Sequence, residues 1–185
     1  MIITIAGLPG SGKSTIAKLL SKELQIPWYS VGDLRGKMAQ ERGMTIDEFN
    51  KLGETEAFTD NEVDDYQKKL GEGDEDFIMD GRLSWHFIPH SLKVFLDVEP
   101  DEAARRIFGA DRTDRADERP YASVEDVKKA VTDRMASDQR RYQKYYGVDF
   151  LNRANYDVVI DTTKLTPEQI VNEILAARAQ RRTGN

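Results

Sequence analysis

The stretch "GLPGSGKS", Gly7 to Ser14, decides the fold. It fits the pattern G-x-x-x-x-G-K-[ST], in which glycines let a backbone loop wrap closely around phosphate oxygens. Its setting supports that reading from both sides. Before it runs "MIITIA", a short continuous apolar segment of the kind that forms a strand buried on both faces. After it, "STIAKLLSKEL" carries Ile16, Leu19, Leu20 and Leu24 at helical spacing. A glycine-rich loop between a buried strand and a helix N-terminus is a nucleoside-triphosphate site. Its backbone N–H groups point inward at the positive end of the helix dipole. Gly7, Leu8, Pro9, Gly10, Ser11, Gly12, Lys13, Ser14 and Thr15 are the expected triphosphate-binding residues. Lys13 reaches the β- and γ-phosphates and Ser14 offers its hydroxyl to Mg²⁺.

Outward from the loop, apolar runs alternate with helical patterns. A second short strand is expected around Trp28 and Tyr29, and "DFIMD" and "LKVFLDV" are further runs, each carrying an aspartate near its end. "PDEAARRIF" opens a helix with Pro100 near its first turn. Ser123 and Asp126 resemble a capping box, starting a helix that Gly147 stops. "YDVVID" is a last strand, and a last helix runs from Pro167 to about Arg181. This alternation predicts an α/β fold on a parallel sheet. Residues 32–72, polar and helical with breaks at Gly43, Gly53 and Gly71, and the loop or lid at 109–122 hang outside that core.

Composition narrows the function. The 185 residues are 39% hydrophobic and 32% charged, which suits one well-filled domain rather than a disordered chain. The N-terminus shows no basic leader and no run long enough for a membrane span, so a cytoplasmic protein is expected. With no cysteine, thiol catalysis, disulfides and cysteine-ligated zinc are excluded. His86 and His90 are four apart, but Pro89 disrupts the helix that would aim both at one metal. A net charge of −6 argues against a nucleic-acid polymer as partner. Charge is nonetheless segregated. Thirteen acids face three lysines between Asp47 and Asp80, whereas Arg105 to Arg141 holds eight of the fifteen arginines. Arginine in such excess suits bidentate phosphate recognition, although a solvated helix pair and loop would read the same way.

A triphosphate site can switch or transfer. The chain has no N-K-x-D element for guanine, and neither Asp80 nor Asp97 is followed by the glutamate usual in ATPase motors. Transfer to an acceptor that is itself a phosphate needs cations on both groups. Ser30 and Arg35 in "YSVGDLR", and Arg82 in "DGR", follow predicted strands, where open α/β sheets place their ligands. On the helix after Ser123, Val127, Val131, Arg134, Asp138 and Arg141 share one stripe. The stripe begins apolar and turns charged without leaving its face, so either a ligand or an internal ion-pair network lies opposite.

The segments "GLPGSGKST", "YSVGDLRGKMAQERGMTIDEFNKL", "DGRLSW", "RYQKYYGVD" and "NYDVVIDTTKLTPEQIV" together resemble the P-loop nucleoside monophosphate kinases, and among them the shorter cytidylate kinases of archaea and some bacteria. The resemblance covers nearly the whole chain. It implies a single kinase domain over residues 1–185, with a five-stranded parallel sheet, a monophosphate-binding segment at about 32–72 and an arginine-bearing lid at about 109–122. ATP and CMP or dCMP are the implied substrates and Mg²⁺ the implied cofactor. A monomer is expected, with no nucleic-acid polymer or membrane as partner. Arg35, Arg82 and Arg141 resemble the arginines that hold the CMP phosphate. Arg134, Asp138 and Arg141 resemble an R-x₃-D-x₂-R element that reaches the sugar and phosphates, and Ser30 and Gly81 fall within the acceptor motifs. Asp80 resembles the strand-end carboxylate that orders Mg²⁺ through water. Lid arginines among Arg105, Arg106, Arg112 and Arg115 would close on the transferring group, with Arg105 and Arg112 counted as catalytic alongside Lys13, Arg82 and Arg141. On this reading Arg141 is an unpaired cation in a cleft, and removing it should leave the ligand-free fold as stable or more so.

Leu83 departs from the longer bacterial cytidylate kinases, which carry an aspartate there that helps read cytosine; the shorter type has leucine. Cytosine offers an N4 donor with O2 and N3 acceptors. "EVDDYQ" supplies matching groups in Asp64 and Gln67, three apart on an expected helix, the alternative being a solvated acidic face.

Overall fold

The computed structural model describes residues 1–110 and 121–183, so Arg112 and Arg115 and most of the expected lid lie outside the described residues. Five strands, β1 (Ile3–Gly7), β2 (Trp28–Ser30), β3 (Ile78–Asp80), β4 (Leu92–Asp97) and β5 (Val158–Asp161), form one sheet in the order β2-β3-β1-β4-β5. Each pairing is parallel, with Ile5 opposite Asp80 and Gly7 opposite Leu96. The five-stranded parallel sheet therefore stands as expected, and β1, the strand that feeds the loop, lies at its centre.

Both faces of the sheet are covered, which is why β1, β3 and β4 read as near-continuous apolar runs. On one face Ile3 and Ile5 pack with Ile16 and Leu20 of α1 (Lys13–Leu24) and with Ile170 and Ile174 of α8 (Pro167–Thr183). On the other, Ala6 and Phe95 meet Trp85 of α5 (Ser84–Phe87), Tyr142 of α7 (Val124–Tyr146), Phe150 and Tyr156. Ser123 accepts from the Asp126 N–H and Gly147, at φ 66°, ends α7, as the sequence indicates. The short α5 and the 3₁₀ turn at Arg153–Asn155 have no helical period to announce them.

The segment after β2 folds as α2 (Val31–Glu41), α3 (Ile46–Leu52) and α4 (Phe58–Gly71). It has its own small core of Met38, Ala39, Phe49 and Val63. α3 packs against α7 and α4 against α5, so this insertion lies over the carboxyl end of the sheet. α6 (Pro100–Gly109) follows β4 and also lies along α7.

Candidate active site

Two half-sites sit at the carboxyl edge of the sheet. The first is the loop between β1 and α1. Gly7 leaves the sheet so close to β4 that a Cβ there would stand 2.2 Å from the Leu96 carbonyl oxygen. Gly12 has φ 87° and forms the N-cap of α1 without any side-chain cap, and no acid lies in that helix's first turn. The N–H groups at the helix start are thus left for an anion. Ser11 is fully buried, and its hydroxyl has no hydrogen-bond partner among the described residues. The Lys13 ammonium donates to the Leu8 carbonyl at 2.8 Å, folded back over the loop. Ser14 Oγ donates to Asp80 Oδ2 at 2.6 Å. Burial pushes the Asp80 carboxyl above its ordinary range, opposed by hydrogen bonds from Ser14 and Ser30 and by the charge of Lys13. An uncapped helix start, an orphaned buried hydroxyl and a hydroxyl–carboxylate pair form a donor set that fits a Mg²⁺-bound triphosphate. Mg²⁺ characteristically takes one or two protein oxygens, with phosphate and water completing its shell.

The second half-site is a chain of alternating charge between the insertion and α7. Arg35, 7% exposed, donates through Nη1 to Asp60 Oδ1 at 2.8 Å and to the Thr59 carbonyl at 2.8 Å. Its Nε and Nη2 reach Asn50 Oδ1 at 3.3 and 3.1 Å. Asp60 Oδ2 lies 3.2 Å from Arg141 Nε. Arg141 in turn donates to Asp138 Oδ1 at 2.8 Å, and Asp138 also pairs with Arg82. Burial, then the charge of Arg134, pushes the Arg82 guanidinium down to about 9, still cationic at neutral pH. Arg134 makes no ion pair among the described residues, and its Nε is buried without a hydrogen-bond partner. The charged half of the α7 stripe thus meets Asn50 and Asp60 of the insertion together with Arg82 beyond β3.

This geometry divides the expected arginines. Arg35, Arg82, Arg134, Asp138 and Arg141 do converge, but Arg141 is only 1% exposed, its Nη1 and Nη2 donate to Asp138, Tyr142 and both oxygens of Asn50, and its Nε faces Asp60 as an ion pair. The internal-network alternative describes Arg141 as it stands. The expectation that it is an unpaired cation is corrected, and its removal must now cost stability. Arg105 does not join the group: it lies on α6 rather than in the lid, largely exposed, and pairs with Glu102 at 2.7 Å. Arg106 turns to the loop after β5, donating to the Thr162 carbonyl at 2.8 Å and the Thr163 carbonyl at 3.2 Å. Ser30 caps α2 by accepting from the Asp33 N–H at 3.2 Å. Gly81 is buried against β1, its N–H bonded to the Ile5 carbonyl at 3.0 Å.

Asp64 and Gln67 are 6% and 2% exposed, which rules out a solvated face for them. Asp64 accepts a hydrogen bond from Tyr146, and Gln67 Oε1 accepts from Ser84 Oγ at 2.7 Å. Leu83 is buried against the sheet's apolar layer. Neither Asn50, the hub joining Arg35 to Arg141, nor Asp60, the carboxylate between them, is singled out by sequence reasoning. Asp60 was within reach: it lies seven and four residues before Gln67 and Asp64, on their face of α4. Asn50 carries no such signal.

Comparison with known proteins places the chain among kinases in sequence and in fold. The family described as cytidylate kinase-like matches residues 2–164. A cytidylate kinase of Methanobrevibacter smithii is 37% identical over 175 residues, 95% of this chain and 96% of that protein. One of Methanothermobacter thermautotrophicus is 38% identical over 168 residues, 91% of this chain and 99% of that one. Among solved structures, shikimate kinase from Aquifex aeolicus superposes with a TM-score of 0.58 at 23% identity, covering 100% of both chains, a likeness of fold alone.

Proposed function

The chain belongs to the cytidylate kinase-like family, and on that premise we propose that it transfers the γ-phosphoryl group of ATP to CMP or dCMP, giving ADP and CDP or dCDP. An oxygen of the acceptor monophosphate attacks Pγ; the new O–Pγ bond forms as the bond from Pγ to the β-phosphate bridging oxygen breaks, and ADP leaves. The single observation that carries the proposal is positional. The phosphate cradle of Gly7–Thr15 and the arginines Arg35, Arg82 and Arg134 stand at one edge of one sheet, joined through Asp80, Ser30 and Arg82 at the ends of β2 and β3.

In this reading the α1 N-terminus and Lys13 bind the β- and γ-phosphates and stabilise charge that grows in the transition state. Ser14 and Asp80 would hold Mg²⁺, which when bound neutralises phosphate charge. Arg82 and Arg134 take the acceptor phosphate, with Arg35 behind them. Asp138 fixes Arg82 and Arg141 so that the fork facing the ligand is set before it arrives. Asp64 and Gln67 face the base. Arg112 or Arg115 would close over the transferring group. Little covalent chemistry is left for the protein, so positioning and electrostatics carry the rate. The protein is expected to work as a monomer. No described helix is long and apolar enough to cross a membrane.

The test is ADP release from purified protein, ATP and Mg²⁺ across CMP, dCMP, UMP, AMP and GMP. Release that depends on CMP or dCMP supports the proposal. Release that depends on another acceptor reassigns the kinase, and tight ATP binding with no release marks a nucleotide-gated binding protein instead.

A further inference from the structure

One face of α4 presents Asp60, Asp64 and Gln67 inward, at i, i+4 and i+7, and all three are buried. Three polar side chains on the packed face of a helix are costly unless each has a partner. Each has one, on a different element: Asp60 on Arg35 and Arg141, Asp64 on Tyr146, Gln67 on Ser84. The row runs from the acceptor arginines to the loop carrying Gly81 and Arg82.

Of the three contacts, only that of Asp64 joins α4 to the last turn of α7. Tyr146 is held for this. Its ring meets Phe87 edge-on at 5.5 Å, with His86 at 6.1 Å and Tyr142 at 6.3 Å, so the hydroxyl has little freedom except along its own axis. It donates to Asp64 Oδ2, and Oδ1 makes no hydrogen bond among the described residues. A carboxylate with one oxygen fixed by a rigid donor presents the other in a fixed direction as an acceptor.

We propose that Tyr146 is a specificity-determining positioning residue: by holding Asp64 Oδ2 it aims Oδ1 at the acceptor's base, selecting an exocyclic amino group over a carbonyl. The inference rests on the CMP-kinase reading and deepens it. Cytosine carries an amino group where uracil carries an oxygen, and an ionised carboxylate accepts from the first and repels the second. The same hydrogen bond favours the ionised form that this selection needs. Burial pushes the Asp64 carboxyl up to about 6, and the bond from Tyr146 works against that push. The other charges bearing on it are Asp60 and Lys68 from α4 and Arg35 from α2, with His86 beside the Tyr146 ring.

Tyr146→Phe keeps the ring and its packing and deletes only the donor. Measured from pH 5 to 8, kcat/KM for CMP relative to UMP should fall about tenfold, the size of one lost hydrogen bond to a charged group. The acid limb of the CMP profile should move to higher pH while KM for ATP stays put. Asp64→Asn should also lower the ratio and should remove that limb. An equal loss for CMP and UMP with an unmoved limb means that Tyr146 only packs, and overturns the inference while leaving the kinase reading standing. If the unaltered protein forms no CDP, both fall together.

Discussion

Replacing Arg141 by alanine separates the two roles open to the charged stripe of α7. The side chain is 1% exposed and joins three elements: Asp138 on its own helix, Asn50 at the end of α3, and Asp60 on α4. Removing one member of a buried ion pair costs about 3–5 kcal/mol when the other is stranded. Here neither acid is stranded, because Asp138 keeps Arg82 and Asp60 keeps Arg35. What remains is the loss of hydrogen bonds to Asp138 Oδ1, Asn50 and Tyr142, at roughly 0.5–1.5 kcal/mol each, and a cavity beside Gly53. Together these suggest about 3 kcal/mol, or roughly 6–12 °C in Tm for a chain of this size. Thermal and urea unfolding of the ligand-free variant measure it. Arg134→Ala is the control: with no ion pair among the described residues to lose, it should stay within about 0.5 kcal/mol of the unaltered protein. It should nonetheless lower kcat/KM for CMP by about 10–150-fold, the loss of one charge-assisted phosphate contact. If Arg141→Ala is as stable as the parent, the network carries no fold energy and the reasoning fails.

Lys13→Ala should lower turnover by orders of magnitude and leave Tm nearly unchanged, since the side chain lies over a loop rather than in the core; near-normal turnover would refute phosphoryl transfer through this loop. Asp80→Asn keeps the shape of the Ser14 contact but removes the charge, so activity should collapse at low Mg²⁺ and recover in part as Mg²⁺ is raised; a Mg²⁺ response identical to the parent's would contradict the assignment. The pH dependence of Asp64 has two faces of opposite sign. Its folded pKa, at about 6, lies above the ordinary carboxylate value, so the folded state binds the proton more tightly. Through this group stability falls as pH rises from about 4 to 6, while preference for CMP over UMP rises over the same range. A preference that is flat from pH 5 to 8 would remove Asp64 from base reading.

Much of this was legible in the chain because the relevant signals are local. The loop at Gly7–Ser14 announces itself by spacing, the buried strands by continuous apolar runs, and α7 by its cap and its closing glycine. The division of labour among the arginines was not legible. Arg134 and Arg141 share a helix face and look alike in sequence, yet among the described residues Arg134 has no ion pair while Arg141 pairs with Asp60 and Asp138 and donates to Asn50. The contacts to Asp60 and Asn50 span 81 and 91 residues of chain, which no periodicity encodes. Asp64 could be placed on a helix, but its burial depends on how the insertion folds back over the sheet. Arg105, close to the expected lid in sequence, stands on α6 and pairs there with Glu102.

The most direct test follows the phosphorus itself. In ³¹P NMR of ATP, Mg²⁺ and CMP with catalytic protein, the account predicts CDP and ADP rising together in equal amounts, with no inorganic phosphate. ADP appearing with inorganic phosphate instead of CDP, or ATP persisting unchanged beside CMP, would contradict it.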